Sequence, residues 1–526
     1  VLSLHRAGIR PHPCEPWTSL VPSVASNLLP GGNDASLPVL RRRLALLEGW
    51  KPAREWKPSE SMGLQQRVAD GQGKAAAQSL GQILSGVAPV VLTGQQPGVA
   101  GGPLFVWLKA HTAIVHAQRM SAKLGLPVRA LFWVAGDDSD LSEVRYLSDS
   151  VTGALLDSHP GEAGERKPVG DLPFPDPMGL TNWVDKNWPQ SGLHSILDRK
   201  PIDLSSLMVA CLRHWFGDRL VVVDARWPEL RLLAHRTYRT FGRSPEGIHK
   251  ALAAGMTAAS AAGLNVAIRS WPDKLRLFRI GDDNSRRRIS VADGVLSDGE
   301  GWTLSVKSLP STLDREPERF SHDVVSRPFA AEEIFPVAAH VLGPGEYAYF
   351  ACMGLLSQKI GAPLAPALPR ASCTILPSGP WETARIAGWE PPVRASGPWD
   401  PLKKAFLQAK HPEERLWVKT WGDARADYLE QLAGSETEPA LESLGRKLAA
   451  FEKRLHHNRL NSLAFDHSRE LADLKRLWHL TGSGALQERS VSPWALEHHL
   501  GQPDLLRRLA EEMDPDEPVH VVWEAK

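Results

Sequence analysis

Three carboxylates, Asp137, Asp138 and Asp140, follow directly on the apolar run Ala130-Leu131-Phe132-Trp133-Val134-Ala135. A strand over that run brings all three acids to its carboxyl end. Like charges so close raise one another's pKa unless a cation or a hydrogen-bond donor offsets them. A metal ion, a substrate ammonium or an arginine would each serve. The plainer alternative is that one Asp caps the next helix and the others are solvated. A second segment, Val90-Val91-Leu92-Thr93-Gly94-Gln95-Gln96-Pro97-Gly98, runs on through Gly101-Gly102-Pro103 into a helical stretch, Leu104–Leu124. Strand, glycine turn and helix point backbone N–H groups and the positive end of a helix dipole at an anion. Phosphate or carboxylate binding and a plain tight turn both stay open, because the spacing matches neither G-x-G-x-x-G nor G-x-x-x-x-G-K-[ST]. A third segment, Val341-Leu342-Gly343-Pro344-Gly345-Glu346, repeats the pattern. It puts a carboxylate in a first helical turn, where it complements the dipole or holds a substrate amine. Arg327 and Arg370 flank it. Either could grip a carboxylate with its planar fork or form a structural ion pair.

These loops require a scaffold that ends several strands at one edge. Strand candidates are Val87–Thr93, Val128–Ala135, Leu220–Asp224, Leu264–Ile268, Leu275–Ile280 and Val337–Leu342, with helices at Leu104–Leu124 and Pro228–Phe241 between them. This alternation predicts an α/β fold with a doubly wound, mostly parallel sheet, whose ligands bind beyond the carboxyl ends of the strands. Residues 1–85 read as a helical lead-in, with Leu40, Leu44 and Leu47 at helical spacing, and residues 86–377 as the core. Insertions at about 150–212 and about 269–326 interrupt it, the second carrying short β segments and turns such as Gly281-Asp282-Asp283-Asn284.

Residues 378–436 read as a linker, Ser378–Pro401, and a helical segment. Leu441, Leu444, Leu448, Phe451 and Leu455 then repeat at three and four, an a/d heptad seam. The register breaks near His456–Asn461 and resumes, shifted, at Leu471, Leu474 and Trp478. Residues 437–480 are therefore expected to form a coiled-coil or helical-hairpin arm, either dimerising or packed on its own domain. Residues 481–526 are expected to pack on the core.

At 526 residues the chain is too long for one simple core. Its 61 basic and 60 acidic residues set up no field for nucleic acid or an anionic membrane. Apolar runs stop short of the roughly 18 residues a membrane span needs, and Val1–Arg10 has no secretory h-region. Cys14, Cys211, Cys352 and Cys373 are scattered without a C-x-x-C pair, which predicts a cytoplasmic protein with no structural metal site. The pairs His456-His457 and His498-His499 read as surface residues.

Taken together, the motifs resemble one family. T-G-Q-Q-P-G and G-G-P-L at Thr93–Leu104, followed by Lys109-Ala110, resemble the opening of the cysteine-adding enzymes of bacillithiol biosynthesis, BshC. Phe132–Asp140 is similar to that family's F-W-x-A-x-E-D-H-D. Arg327-Pro328, Gly343–Phe350 and Pro369–Ser372 match its third block, and Leu486-Gln487-Glu488-Arg489, Ser492-Pro493 and Met513-Asp514-Pro515 its tail. The match runs from about residue 85 to the C-terminus. Two departures stand out: Ser139 takes the place of the family His, and Asp137 that of the family Glu. A serine cannot act as an acid or base near neutral pH as histidine can.

The resemblance implies a Rossmann-like core with two connecting-peptide insertions and a coiled-coil arm supporting a homodimer. It implies a ligase that joins cysteine to the amine of glucosaminyl-malate, the last step to bacillithiol. A carboxylate is a poor electrophile, so ATP with Mg²⁺ is the expected energy source. On this reading Gln95, Gln96, Gly98 and Gly102 line an anion site and Lys109 steadies phosphate charge. Asp137, Asp138 and Asp140 bind sugar, ammonium or Mg²⁺, and one of them accepts the amine proton. Glu346 and Arg327 close the pocket, with Trp133, Gly343, Gly345, Tyr349 and Arg370 around it. The alternatives are another ATP-dependent amine–carboxylate ligase or nucleotidyl transferase, and a dimeric binding protein without catalysis.

Overall fold

The computed structural model describes residues 4–6, 12–13, 37–51, 57–159, 166–172, 177–377, 399–433, 437–481, 486–513 and 519–525. Nearly all of the linker Ser378–Pro401 lies outside the described residues. The chain divides into two compact units. The larger holds residues 11–372 and 492–520, the smaller residues 1–10, 373–491 and 521–526.

In the larger unit three helices lead in: α1 (Leu37–Leu47), α2 (Pro58–Gln72) and α3 (Lys74–Leu84). They precede a five-stranded parallel sheet. Its strands are β1 (Val90–Gln95), β2 (Arg129–Val134), β3 (Leu220–Asp224), β7 (Val337–Leu342) and β8 (Ala367–Pro369); β4–β6 belong to an inserted sheet. The order across the sheet is β8-β7-β1-β2-β3, every pair parallel. The chain lays down β1, β2 and β3 in one direction, then returns to place β7 and β8 on the other side of β1. The topological switch therefore falls between β1 and β7. The strands are rich in valine and leucine and buried on both faces, as a parallel sheet between helical layers requires. Gly94 sits where β1 runs closest to β2: a Cβ there would lie 2.5 Å from the Trp133 carbonyl.

Helix α4 (Leu104–Leu124) packs on β1 and β2, and α5 (Leu204–Phe216) seats against the glycine turn. The first predicted insertion thus ends in a core helix rather than before it. The second insertion is a five-stranded antiparallel sheet within residues 274–322. It contains β4 (Lys274–Ile280), β5 (Arg286–Ala292) and β6 (Phe320–His322). Helix α6 (Pro245–Ala261) precedes this insertion, α7 (Ser326–Ile334) leads back to β7, and α8 (Pro344–Ile360) follows it.

Some sequence expectations need correction. Leu264–Ile268 forms no strand. Leu264 is buried and Val266 and Ile268 pack against the core, so the alternation reflects burial of an extended segment without ladder partners. The helix expected over Pro228–Phe241 breaks at Ala234 into Pro228–Leu233 and His235–Arg243. His499 is not a surface residue: its side chain is 7% exposed and its Nε2 lies 2.9 Å from Asp149.

The smaller unit contains α9 (Trp399–Lys410), α10 (Glu413–Leu432), α11 (Glu438–Asp466) and α12 (Ser468–Leu480). Helix α11 passes unbroken through His456–Asn461 and ends at His467, later than the heptad break suggested. Helices α10 and α11 run antiparallel, tied by Arg425–Glu452 and Arg459–Glu414 ion pairs. The leucine seam is thus partly covered within the chain, and Phe451 stays half exposed. Among the described residues no helix is long and apolar enough to cross a membrane.

Candidate functional site

A cavity of about 420 Å³ opens beyond the carboxyl ends of β1, β2 and β7, at the switch point. That is where open α/β sheets bind ligands, and the volume lies in the range of small-molecule sites. Its floor is one face of the sheet. Leu92 and Gly94 of β1, Trp133 of β2, and His340 and Leu342 of β7 share that face, because alternate residues of a strand point the same way. Helices α7 and α8 wall it with Arg327, Pro328 and Ala331, and with Glu346, Tyr349 and Phe350. The rim carries Asp138, Asp140 and Glu143 from the loop after β2.

The acids do not stand unpaired. Asp138 lies 3.2 Å from Arg286 and 3.5 Å from Arg327, and Asp137 lies 3.6 Å from Arg327. Burial pushes the Asp138 pKa up, but the two guanidinium groups and the Ser139 N–H outweigh it and hold the carboxyl below its usual value. Arginine thus fills the cation role that the sequence left open. Asp140 instead accepts the Ser142 hydroxyl at 2.5 Å on the exposed rim. Glu143 shifts the other way: burial first, then Asp140 and Asp138, raise its pKa.

Arg286 was not anticipated. It belongs to β5 of the inserted sheet, 148 residues from Asp138 in sequence. Its Nε donates to Ser321 Oγ at 3.0 Å and an Nη to the His322 carbonyl at 2.7 Å, while the guanidinium lies over Phe278. Only its position in an Arg-rich strand, Arg286-Arg287-Arg288, marks it in the sequence. Behind this pairing, Trp133 Nε1, Asp137 Oδ1, His322 Nε2 and Arg327 Nε are buried without a hydrogen-bond partner among the described residues. They surround a void of about 10 Å³, roughly the room one water molecule occupies.

Lys109 is engaged by protein groups. Its ammonium donates to the Gly94 carbonyl at 3.0 Å and to Gln95 Oε1 at 2.8 Å, and pairs with Glu346 at 2.7 Å. Burial lowers its pKa, Glu346 opposes that, and Arg370 adds to it. Glu346 also accepts the Gly343 N–H at 2.7 Å, so it caps α8 and bridges it to β1. Tyr349 Oη lies 3.5 Å from the other oxygen of Glu346.

The glycine turn is a packed structure and not an open cradle. The N–H groups of Val99, Gly101 and Gly102 are spent on the carbonyls of Val144, Gly98 and Val99. Gly101 and Gly102 have φ of 83° and 81°, and a Cβ on Gly101 would fall 2.9 Å from Cys211 on α5. Trp494 Nε1 holds the turn from outside, donating to the Ala100 carbonyl at 2.8 Å.

The structure thus gathers Gln95, Gln96, Trp133, Asp138, Asp140, Arg327, Glu346 and Tyr349 around one cavity. Asp137, Lys109 and Arg370 are buried. Gly343 lies beside Lys109 and Arg370: a Cβ there would be 3.6 Å and 3.5 Å from them. Gly98, Gly102 and Gly345 do not line the cavity. The residues that sequence reasoning missed are Arg286, Glu143 and His340.

A parallel sheet of strand order 3-2-1-4-5, with a cavity lined by charged groups beyond its switch point, defines a Rossmann-like α/β protein. Residues 59–371 match the family model described as "Bacillithiol biosynthesis BshC, N-terminal Rossmann-like domain". The chain belongs to the BshC family. It is 28% identical over 461 residues to a protein of Shouchella clausii, covering 82% of this chain and 84% of that one. It is 24% identical over 469 residues to one of Desulforamulus reducens, covering 82% and 83%. Both carry the name "Putative cysteine ligase BshC".

Proposed function

We propose that this chain joins the carboxylate of cysteine to the amine of glucosaminyl-malate, forming the amide bond of bacillithiol. The supporting observation is the switch-point cavity, which sets the rim acids Asp138, Asp140 and Glu143 and the cation Arg327 around one space. Asp140 and Glu143 would receive the ammonium of an amino acid or amino sugar, and Arg327, oriented by Asp138, a substrate carboxylate. Gln95 and Gln96 supply uncharged amides at the end of β1. Buried Trp133 and Leu342 exclude water from the floor, which strengthens each polar contact.

A nucleoside triphosphate, as co-substrate, would supply the leaving group that a free carboxylate lacks. The residues present fit a magnesium ion that arrives with phosphates and needs one or two protein carboxylates. Asp140 and Glu143 have that capacity, whereas Asp137 and Asp138 are committed to arginine. No cluster of three ligating side chains is found among the described residues. The half-exposed seam of α11 supports a homodimer, and the scattered cysteines support a cytoplasmic location.

The test is mass spectrometry on the purified protein with cysteine, glucosaminyl-malate, Mg²⁺ and ATP, against omissions of each. Bacillithiol formed only with ATP is expected, with turnover lost in Asp138→Asn and reduced in Gln96→Ala. Full turnover in both folded variants would remove those residues from the site. One departure favours a second reading, a ligase for another amino acid: Ser139 replaces the family His, and its N–H is bound to Asp138 at 2.8 Å. Product from a different amino acid in the same assay, and none from cysteine, would select it.

A further inference from the structure

His340 occupies the middle of β7, in register with Leu92 of β1 and Ala367 of β8. A histidine in the floor of an otherwise apolar parallel sheet needs a reason, and its two ring nitrogens give one. Nε2 lies 2.8 Å from Glu332 Oε1. Glu332 is held on all sides: the Ala365 N–H donates to Oε1 at 2.6 Å, and the Arg43 guanidinium pairs with Oε2. Arg43 in turn donates to the carbonyls of Val337 and Pro363 at 2.8 and 3.2 Å. Burial pushes the Glu332 pKa up, but Arg43 and His340 outweigh it, so the group is held as a carboxylate. A carboxylate only accepts hydrogen bonds, so Nε2 must carry the imidazole proton. In the neutral imidazole Nδ1 is then the nitrogen with the lone pair. It has no protein partner among the described residues, and His340 lines the cavity.

We propose that His340 is the proton acceptor of the bond-forming step, with Glu332 and Arg43 as positioning residues. The assignment rests on the ligase reading above. The amine nitrogen gives its lone pair to the activated carboxyl carbon, and the C–N bond forms. The C–O bond to the phosphate-type leaving group breaks, and its electrons stay on the phosphate oxygen. The amine proton passes to Nδ1 and from there to solvent. The imidazolium so formed keeps its Nε2–H on Glu332, which stabilises it as an orienting carboxylate does. The charged and titratable groups lining the cavity with the ring are Asp138, Asp140, Glu143, Arg327, Glu346 and Tyr349, with Glu332 and Arg43 behind it. In this arrangement a histidine is available for acid–base work although Ser139 is not one.

The test compares the full chain with His340→Gln and Glu332→Gln in the complete ligation mixture, as kcat and KM across pH 5–9. A general base contributes about 10²–10⁴-fold. His340→Gln is therefore expected to lose about 10²-fold or more in kcat with little change in KM, and to lose the acidic limb of the pH profile. Glu332→Gln is expected to lose less in kcat, again with little change in KM, since the imidazolium loses its counter-charge. A merely structural histidine would leave the limb in place. Nitrogen-15 spectra of the imidazole in the resting protein give a readout apart from turnover, with an Nε2–H tautomer expected. Wild-type product together with unimpaired His340→Gln, or an Nδ1–H tautomer, overturns the assignment and leaves the ligase reading standing. No product from the wild type overturns the ligase reading, and the assignment with it.

Discussion

Lys109 offers the sharpest test of how the site is built. Lys109→Met keeps the length of the side chain and removes the ammonium from three partners at 2.7–3.0 Å: Gly94 O, Gln95 Oε1 and Glu346. Removing one member of a buried pair costs about 3–5 kcal/mol, mostly because the other charge is stranded. Glu346 is 25% exposed and keeps its Gly343 N–H, so water reaches it and the cost falls to the low end, about 3 kcal/mol. The buried ammonium also carries its own desolvation cost, which methionine removes. We expect a net loss of about 2 kcal/mol for the single variant. Lys109→Met with Glu346→Gln removes the stranded charge too, so the pair should show a coupling of about 1–2 kcal/mol. Urea unfolding of the four proteins of the cycle, followed by tryptophan fluorescence at pH 7, measures it. A single variant within about 0.5 kcal/mol of wild type, with an additive double, would refute the reasoning. Lys109 would then be a ligand-facing cation, as the sequence suggested.

Three further outcomes follow from groups away from the cavity floor. Burial chiefly, against a contact with the Met513 carbonyl, lowers the His111 pKa to about 4. The unfolded chain takes up that proton near pH 6.5 and the native chain resists until about 4, so stability should fall by about 3 kcal/mol as pH drops through that window. His111→Phe should flatten that part of a stability–pH curve, and an unchanged slope counts against it. Burial raises Glu497 to about 8, leaving it protonated in the native state at pH 7, where the unfolded chain ionises. Its contribution is lost as pH rises from about 4.5 towards 8, so Glu497→Gln should gain about 3 kcal/mol at pH 7 and nothing at pH 4, read by denaturant midpoints. Arg286→Lys cannot serve Ser321, His322 and Asp138 together and should cost about 2 kcal/mol. Faster hydrogen exchange over residues 274–322 would report it, and unaltered exchange would contradict it.

Much of this protein is set locally along the chain. The strands Val90–Gln95, Leu220–Asp224 and Val337–Leu342 are legible because buried parallel strands are short apolar runs bounded by turn residues. The helix Leu104–Leu124 is legible from the Gly101-Gly102-Pro103 entry that precedes it. Carboxylates at the end of β2, and a carboxylate one turn into α8, are facts of sequence order. Their partners are not. Whether Asp138 meets a metal, an ammonium or an arginine depends on where β5 is carried by an inserted sheet, and nothing near Asp138 encodes Arg286. The glycine turn shows the same limit: its residues announce close approach, but only the packing of Cys211 and Trp494 shows that the approach is to protein. Lys109 lies where a phosphate-binding lysine could lie, and the rotation of α4 against β1 turns it instead to Glu346. His340 sits in an apolar run, where a lone histidine reads as core. The tertiary structure sets Glu332 and Arg43 behind one of its nitrogens and a cavity beside it, because long-range contacts decide which polar atoms are satisfied and which are left facing a ligand.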